Sequence, residues 1–275
     1  NSGISGICAA GFLVLPVVAF TLHIERRSPI PIAFSNSTAP DRLMEESLLD
    51  SVRAVTFDMY GTLLDLEATF APSFRDFFNA KGCRGEAGAL VETWERDYLH
   101  ESMVDTLVGG GRTPFERIRW VTLSQLFSKL KIEHTQDEIE AVLGRAVPTL
   151  FPDVIESLGR LGEKYTLAVL SNGDLAPLER VVALLAVPAV RTISAEQAGC
   201  YKPHSEVYRH GAGEMDLHSN QILHVAAHGW DIRGAKAIGM LGAYINRHGI
   251  SYTVGGSEQP DLETADLTEF ASRVA

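Results

Sequence analysis

Four polar side chains lie at or just beyond the ends of short apolar runs that are typical of buried strands. Asp58, Ser171 and Asp231 end such runs or follow them closely, and Lys202 lies in the loop after another. Because the carboxyl ends of parallel strands meet at one edge of a sheet, we expect these groups to converge there. Gly61 allows a sharp turn after Asp58, which makes this carboxylate a candidate nucleophile. Taken alone, Asp58 would equally suit the cap of the following helix.

Alternating strands and helices must carry these groups. The apolar patterns predict an α/β protein whose core is a doubly wound, Rossmann-like parallel sheet with right-handed crossovers. Strands are predicted at 55–57, 165–170, 190–193, 222–226 and 241–245, and helices at 152–161, from about 175, at 205–214 and at 232–238.

The segment 67–147 has a helical character. Trp94 and Tyr98 fall on one helical face, and the stretches 113–116 and 135–138 match capping boxes at the starts of two helices. We therefore predict an all-helical cap domain at 67–147, inserted into a catalytic core formed by residues 44–66 and 148–275.

The first 43 residues do not follow this pattern. Residues 6–24 form an uncharged, mostly apolar run of about membrane-spanning length, and Arg26 and Arg27 come after it. A secretory signal would carry its positive charge before the apolar run. The first methionine is Met44, so we interpret 1–43 as translated upstream sequence or a fragment artefact. A membrane anchor at 6–24 and a targeting peptide are the alternatives.

Composition limits the partners. The chain has 275 residues and a formal net charge of −11, which argues against a nucleic-acid partner. The three cysteines, Cys8, Cys83 and Cys200, match neither a disulfide framework nor a metal-binding spacing. They are typical of a reducing compartment, so we predict a cytoplasmic protein that contacts a membrane only if the 6–24 segment is genuine. A homodimer is left open.

The motifs resemble those of the haloacid dehalogenase superfamily in order and spacing. They are Asp58-Met59-Tyr60-Gly61-Thr62, Ser171-Asn172-Gly173, Lys202-Pro203 and the segment that ends in Asp231. The magnesium-dependent phosphatases of that superfamily carry a second Asp where this chain has Tyr60. They also carry paired acids in the fourth motif, where this chain has one acid and His228. Mg²⁺ prefers oxygen ligands, so the chain is more similar to the metal-independent, type II L-2-haloacid dehalogenase branch.

That resemblance implies hydrolysis of short L-2-haloalkanoic acids to 2-hydroxy acids without a metal or cofactor. The partners would be a small halogenated carboxylic acid and water. Asp58 would displace the halide and form an ester that water then cleaves. Lys202 would keep Asp58 ionised, and Asp231 would hold Lys202 or water. Ser171 and Thr62 would bind the substrate carboxylate or the ester oxygen.

Further residues would line the substrate pocket. The rings of Tyr60, Trp230 and Tyr208 would form an apolar wall around a short carbon chain. Tyr208 would also hydrogen-bond near the nucleophile, and Asn172 would donate a hydrogen bond to the leaving halide.

Two departures from the branch affect the site. The branch places an Arg directly after the cap-helix Trp to bind substrate; here Glu95 follows Trp94, and Arg96, one position later, is the candidate. His228 stands where the branch has an Asn. An imidazole can deprotonate water near neutral pH, so we expect His228 to activate the hydrolytic water, with Glu67 orienting it.

Three other functions stay open. One is a magnesium-dependent small-molecule phosphatase, against which Tyr60 counts. Another is a related ring or carbon–heteroatom hydrolase that acts on another small carboxylic acid, which the shifted Arg allows. The last is a non-catalytic binding protein that kept the fold.

Overall fold

The computed structural model describes residues 49–83, 85–247, 249, 252 and 259–275. In this part of the chain, six strands form one parallel sheet in the order β3-β2-β1-β4-β5-β6. The strands are β1 (Ala54–Phe57), β2 (Thr166–Ser171), β3 (Arg191–Ser194), β4 (Ile222–Ala226), β5 (Leu241–Ile245) and β6 (Leu262–Thr264). The strand order runs outward from β1 in both directions, so the predicted doubly wound α/β fold is confirmed.

Ten α-helices connect or flank these strands within the described residues. They are α1 (Leu66–Ala80), α2 (Ala87–Val108), α3 (Phe115–Lys129), α4 (Gln136–Gly144), α5 (Val154–Gly162), α6 (Leu175–Val182), α7 (Ala195–Ala198), α8 (Ser205–Met215), α9 (Gly229–Lys236) and α10 (Leu267–Val274). No helix in these parts of the chain combines the length and apolarity needed to cross a bilayer. The apolar run 6–24 lies outside the described residues.

The central strands owe their position to continuous apolar runs. Every residue of β1 and of β4 is buried, as expected for parallel strands that are covered on both faces. Phe57, the last residue of β1, pairs with Val169 of β2 on one side and with Val225 of β4 on the other. The carboxyl ends of β1, β2 and β4 therefore lie within two residues of one another.

The four helices α1–α4 lie between β1 and β2 in the chain, and α1–α3 share an aromatic core. Phe77 stacks on Phe127 with ring centroids 4.6 Å apart, and Phe74 contacts Trp94 at 5.7 Å. Burial of several large rings accounts for the association of these helices. That 67–147 is a separate domain stays a prediction.

The two capping boxes predicted at helix starts have different outcomes. The predicted capping box at 135–138 is confirmed, because the Thr135 hydroxyl and the Glu138 carboxylate cap each other's backbone. The box at 113–116 is wrong: Thr113 bonds to Asp105 instead. The start of α3 is capped by Asp174, which accepts from the backbone N–H groups of Phe115 and Glu116 at 2.9 and 3.0 Å. A carboxylate is favoured there by the helix dipole.

Candidate active site

Asp58 lies directly after β1 at the carboxyl edge of the sheet and is 4% exposed. The chain turns at Gly61, whose φ of +77° lies in the left-handed region that favours glycine. Lys202 Nζ lies 2.8 Å from Asp58 Oδ1, and the Thr62 hydroxyl donates to Oδ2 at 2.9 Å. Burial opposes ionisation, but the charge of Lys202 and the contact with His228 lower the pKa of Asp58 below its ordinary value. Asp58 is therefore an ionised carboxylate at neutral pH.

Lys202 connects Asp58 to Asp231. Its side chain is fully buried, and Nζ lies 2.6 Å from Asp231 Oδ2 as well as close to Asp58. Burial would lower the pKa of Lys202, but the two carboxylates raise it above its ordinary value. The backbone N–H of Lys202 donates to Asn172 Oδ1 at 2.8 Å, so the loop after β2 fixes the loop that carries the lysine.

Asp231 lies in the first turn of α9 and is held from a second side. The Tyr208 hydroxyl donates to Asp231 Oδ1 at 2.6 Å, and His224 Nε2 lies 3.1 Å from the same oxygen. His224 Nδ1 lies 2.9 Å from the Thr56 hydroxyl. Burial raises the pKa of Asp231, but Lys202 and His224 outweigh it and lower that pKa. His224 was not a predicted site residue; the signal for it is a lone imidazole in the otherwise apolar strand β4.

His228, just after β4, lies between two carboxylates. Its Nδ1 is 3.5 Å from Asp58 Oδ2, and its Nε2 is 3.4 Å from Glu95 Oε1. The Trp230 ring packs against the imidazole at a centroid distance of 5.3 Å. Burial would lower the pKa of His228, but the contacts with Asp58 and Glu95 raise it to about 10. In the free protein His228 is therefore an imidazolium at neutral pH.

The carboxylate beside His228 is not the predicted one. Glu67 is exposed on α1, where its Oε1 occupies the space that a Cβ on Gly88 would need. It faces the start of α2 instead of the imidazole. Glu95, on the same helix as Gly88 and beside the buried Trp94, occupies the predicted place. The sequence did contain a signal for this residue: Glu95 directly follows Trp94, at the position where the L-2-haloacid dehalogenase branch has an Arg.

The predicted substrate arginine is also displaced. Arg96 is exposed, whereas Trp94 is fully buried; two residues along a helix correspond to about 200° of rotation. The cap-segment arginine that contacts the Asp58 loop is instead Arg119 of α3, which lies over the Tyr60 ring. Its guanidinium lies 4.8 Å from the centroid of the Phe70 ring, 5.1 Å from that of Trp94 and 5.7 Å from that of Tyr60. No local pattern in the sequence singled out Arg119.

The loop after β2 supplies further polar atoms. Ser171 is fully buried, and its Oγ accepts from the Gly173 N–H at 3.3 Å. Asn172 is 3% exposed, and among the described residues its buried Nδ2 has no hydrogen-bond partner. The Thr62 hydroxyl, by contrast, accepts from the Ala227 N–H at 2.9 Å while it donates to Asp58. Asn172 Nδ2 is thus available to donate a hydrogen bond close to Lys202, whereas the Thr62 hydroxyl already donates to Asp58.

The three predicted wall residues have different positions. Tyr60 is half-buried, with its ring 5.6 Å from Phe115 and its hydroxyl oxygen 2.9 Å from where a Cβ on Gly173 would be. Trp230 is half-buried beside His228. Tyr208 is fully buried behind Asp231, so it holds a carboxylate and is not an apolar wall.

The residues at this edge do not fit a magnesium site. Tyr60 supplies no carboxylate, and both oxygens of Asp231 are occupied, one by Lys202 and the other by Tyr208. Within the described ranges, no group of three or more His, Cys, Asp or Glu side chains is arranged to hold a metal ion. Mg²⁺ requires several oxygen ligands in near-octahedral geometry.

A family model described as haloacid dehalogenase-like hydrolase matches residues 52–239. The chain belongs to this family. The match includes the Asp58 loop, the loop after β2, Lys202 and Asp231, so the resemblance inferred from the motifs is confirmed.

Named relatives within the family are dehalogenases. (S)-2-Haloacid dehalogenase 1 of Pseudomonas sp. (strain CBS-3) is 29% identical over 202 residues, which are 72% of this chain and 86% of that protein. Haloacetate dehalogenase H-2 of Moraxella sp. (strain B) is 27% identical over 233 residues, 82% of this chain and 100% of the relative. The crystal structure of the L-2-haloacid dehalogenase RSc1362 has a TM-score of 0.73 at 26% identity, covering 81% of this chain and 98% of that one.

Proposed function

We propose that this protein hydrolyses short-chain L-2-haloalkanoic acids to 2-hydroxy acids through a covalent ester of Asp58. The observation that carries the proposal is that two different groups contact the two oxygens of the Asp58 carboxylate. Lys202 lies against Oδ1 and keeps the carboxylate ionised, and the imidazole of His228 lies near Oδ2. The names of the relatives, which include both (S)-2-haloacid and haloacetate dehalogenases, support this substrate class.

In the first step, Asp58 attacks the carbon that carries the halogen. A carbon–oxygen bond forms, the carbon–halogen bond breaks, and the halide leaves with the bonding electrons. Fixing the nucleophile against a bound substrate is worth several orders of magnitude in rate. Lys202 contributes by keeping the attacking carboxylate charged although it is buried.

Anion binding falls to Arg119 and Asn172. Arg119 is held over aromatic rings and has no carboxylate partner among the described residues, which leaves its N–H donors for a substrate carboxylate or a departing halide. Asn172 offers its buried Nδ2, which has no hydrogen-bond partner in the described part of the chain. In this proposal the rings of Tyr60 and Trp230 would form the apolar border around a short carbon chain.

In the second step, water attacks the Asp58 carbonyl carbon. We assign its activation to His228, whose Nδ1 faces Asp58 while Nε2 faces Glu95. A base oriented by a carboxylate on its far nitrogen is a common arrangement for such a proton transfer. Glu95 comes from α2 and Arg119 from α3, so we infer that the segment 67–147 acts as a cap that completes the site and excludes bulk water.

A cytoplasmic location and a homodimer are further proposals. Cys83 and Cys200 are free thiols, which accords with the reducing cytoplasm. Light scattering of the purified protein would test the homodimer.

The deciding experiment offers L-2-chloropropionate to the purified protein in the presence of EDTA and measures chloride. A parallel arm offers p-nitrophenyl phosphate with Mg²⁺, and Asp58→Asn serves as the inactive control in both. EDTA-resistant chloride release that is lost in Asp58→Asn supports the proposal. Phosphate release alone would establish the phosphatase instead. The D-enantiomer, assayed in the same way, reports the stereochemical preference.

A single turnover in H₂¹⁸O tests the covalent step. Because water attacks the Asp58 carbonyl carbon, one ¹⁸O should appear in the peptide that contains Asp58 and none in the first equivalent of 2-hydroxy acid. Label in the first product alone would mean that water attacks the substrate directly, and the ester would be excluded.

A further inference from the structure

His228 joins two carboxylates that come from different parts of the chain. Asp58 follows β1, and Glu95 lies on α2. The distances of 3.5 Å to Asp58 and 3.4 Å to Glu95 are those of an ion pair at the limit of hydrogen bonding. Glu95 Oε1 is buried and has no hydrogen-bond partner among the described residues.

The charges around the imidazole favour a cation. Lys202 is shared between Asp58 and Asp231, so these three groups together carry one negative charge, and Glu95 adds another. Trp230 presents only a ring to His228. Tyr98, whose pKa is raised well above its ordinary value by burial and by Glu95, is uncharged. Asp58 and Glu95 are the cause of the raised pKa of His228 in the free enzyme.

A charged imidazole cannot accept a proton from water. The proposed reaction removes this obstacle, because esterification turns Asp58 from an anion into a neutral group. His228 then faces one carboxylate instead of two, and its affinity for a proton falls.

We propose that Asp58 and Glu95 together hold His228 as an imidazolium in the free enzyme, and that formation of the Asp58 ester releases it as the base for the second step. This inference rests on the proposed function. Glu95 acts as a positioning residue: its carboxylate lies beside Nε2 and keeps Nδ1 directed at the ester. The base is thus activated only after the halide has been displaced.

The complete cycle releases one proton. Alkylation consumes the Asp58 carboxylate and liberates the halide, and His228 then releases its Nδ1 proton to solvent. In the second step Nδ1 takes a proton from water, the hydroxide adds to the carbonyl carbon, and the carbon–oxygen bond to the substrate breaks. The alkoxide takes the proton from His228. The new Asp58 carboxylic acid gives its proton to His228, which restores the starting state. One proton therefore leaves with the halide and none with the alcohol.

The first test measures the titration of His228 by NMR, with His228→Asn to assign its signal. We expect His228 in the wild type to stay protonated through neutral pH and to titrate near pH 10. Asp58→Asn imitates the neutral ester, and Glu95→Gln removes the other charge. Each should lower the pKa of His228 by roughly 1 to 3 pH units. Glu92→Gln, an exposed position on the same helix, should leave it unchanged.

The second test needs no variant. In a stopped-flow turnover of L-2-chloropropionate with a pH indicator, proton release should follow the burst of chloride and precede the appearance of lactate. Proton release that coincides with lactate would overturn the inference, as would a wild-type His228 that titrates near 6.5, its ordinary value. The absence of chloride would instead refute the proposed function.

Discussion

The guanidinium of Arg119 lies 5.7 Å from the centre of the Tyr60 ring. A cation carried by α3 thereby faces the loop that carries Asp58, although the sequence pointed to Arg96 for this position. The main-chain oxygen of Arg119 also accepts a hydrogen bond from the Trp94 indole at 3.0 Å. The two helices that deliver Arg119 and Glu95 are therefore joined beside the site.

Arg119→Gln should reduce kcat/KM for L-2-chloropropionate by roughly 10- to 150-fold, because a hydrogen bond to a charged group contributes about 1.5–3 kcal/mol. Arg96→Gln is the matched control: the same change on an exposed side chain should leave kcat/KM within about twofold of the wild type. Steady-state chloride assays on both variants decide between the two arginines. If kcat/KM falls equally in both variants, or falls more in Arg96→Gln, Arg96 takes part in binding the anion and the assignment to Arg119 is contradicted.

Lys202→Met should destabilise the protein strongly as well as abolish chloride release. Removal of one partner from a buried ion pair costs about 3–5 kcal/mol, because the remaining charges stay buried. Lys129→Met removes an exposed ion pair with Asp97 and should cost less than about 1 kcal/mol. Urea unfolding of both variants near neutral pH measures the difference. Comparable free energies of unfolding for the two variants would show that Lys202 is not the structural link between Asp58 and Asp231.

The free energy of unfolding should fall as the pH rises from 6.5 to 10. His228 has a folded-state pKa raised from 6.5 to about 10, so its stabilising contribution is complete below 6.5 and is lost as the pH approaches 10. His228→Asn should remove this part of the pH dependence, and Glu95→Gln should weaken it. Urea unfolding across this pH range provides the measurement. A wild-type curve that parallels that of His228→Asn would contradict the predicted charge.

Gly61→Ala should damage the site by two effects that a control can separate. A Cβ at Gly61 would lie 2.9 Å from His228 Cε1, and its φ of +77° is strained for alanine. Gly82 has a φ of +64° but open space around the added Cβ, so Gly82→Ala reports the strain alone, roughly 1–2 kcal/mol. We expect a larger loss of stability for Gly61→Ala than for Gly82→Ala, and slower ester hydrolysis only for Gly61→Ala. Mass spectrometry of the quenched enzyme would show the accumulated ester.

The sequence by itself determined the fold and the edge of the sheet where the chemistry lies. The alternation of apolar runs and helical periods is a local property, and the order of the strands follows from short connections. Once the central strands are in register, their ends are level, and Asp58, Ser171 and Asp231 must come close together. The strand β6 was missed, because a run of three residues carries little periodic signal, and the eight-residue helix α10 was missed as well.

Only the tertiary structure decided which helical side chains reach that edge. Glu67 and Arg96 were expected there, and Glu95 and Arg119 lie there instead. Periodicity tells which residues share a helical face, but the rotation of a helix is set by the elements against which it packs. A change of one residue turns a side chain by about 100°, enough to exchange a buried position for an exposed one. The aromatic core of α1–α3 fixes that rotation, and it is formed by contacts between residues that are distant in the sequence.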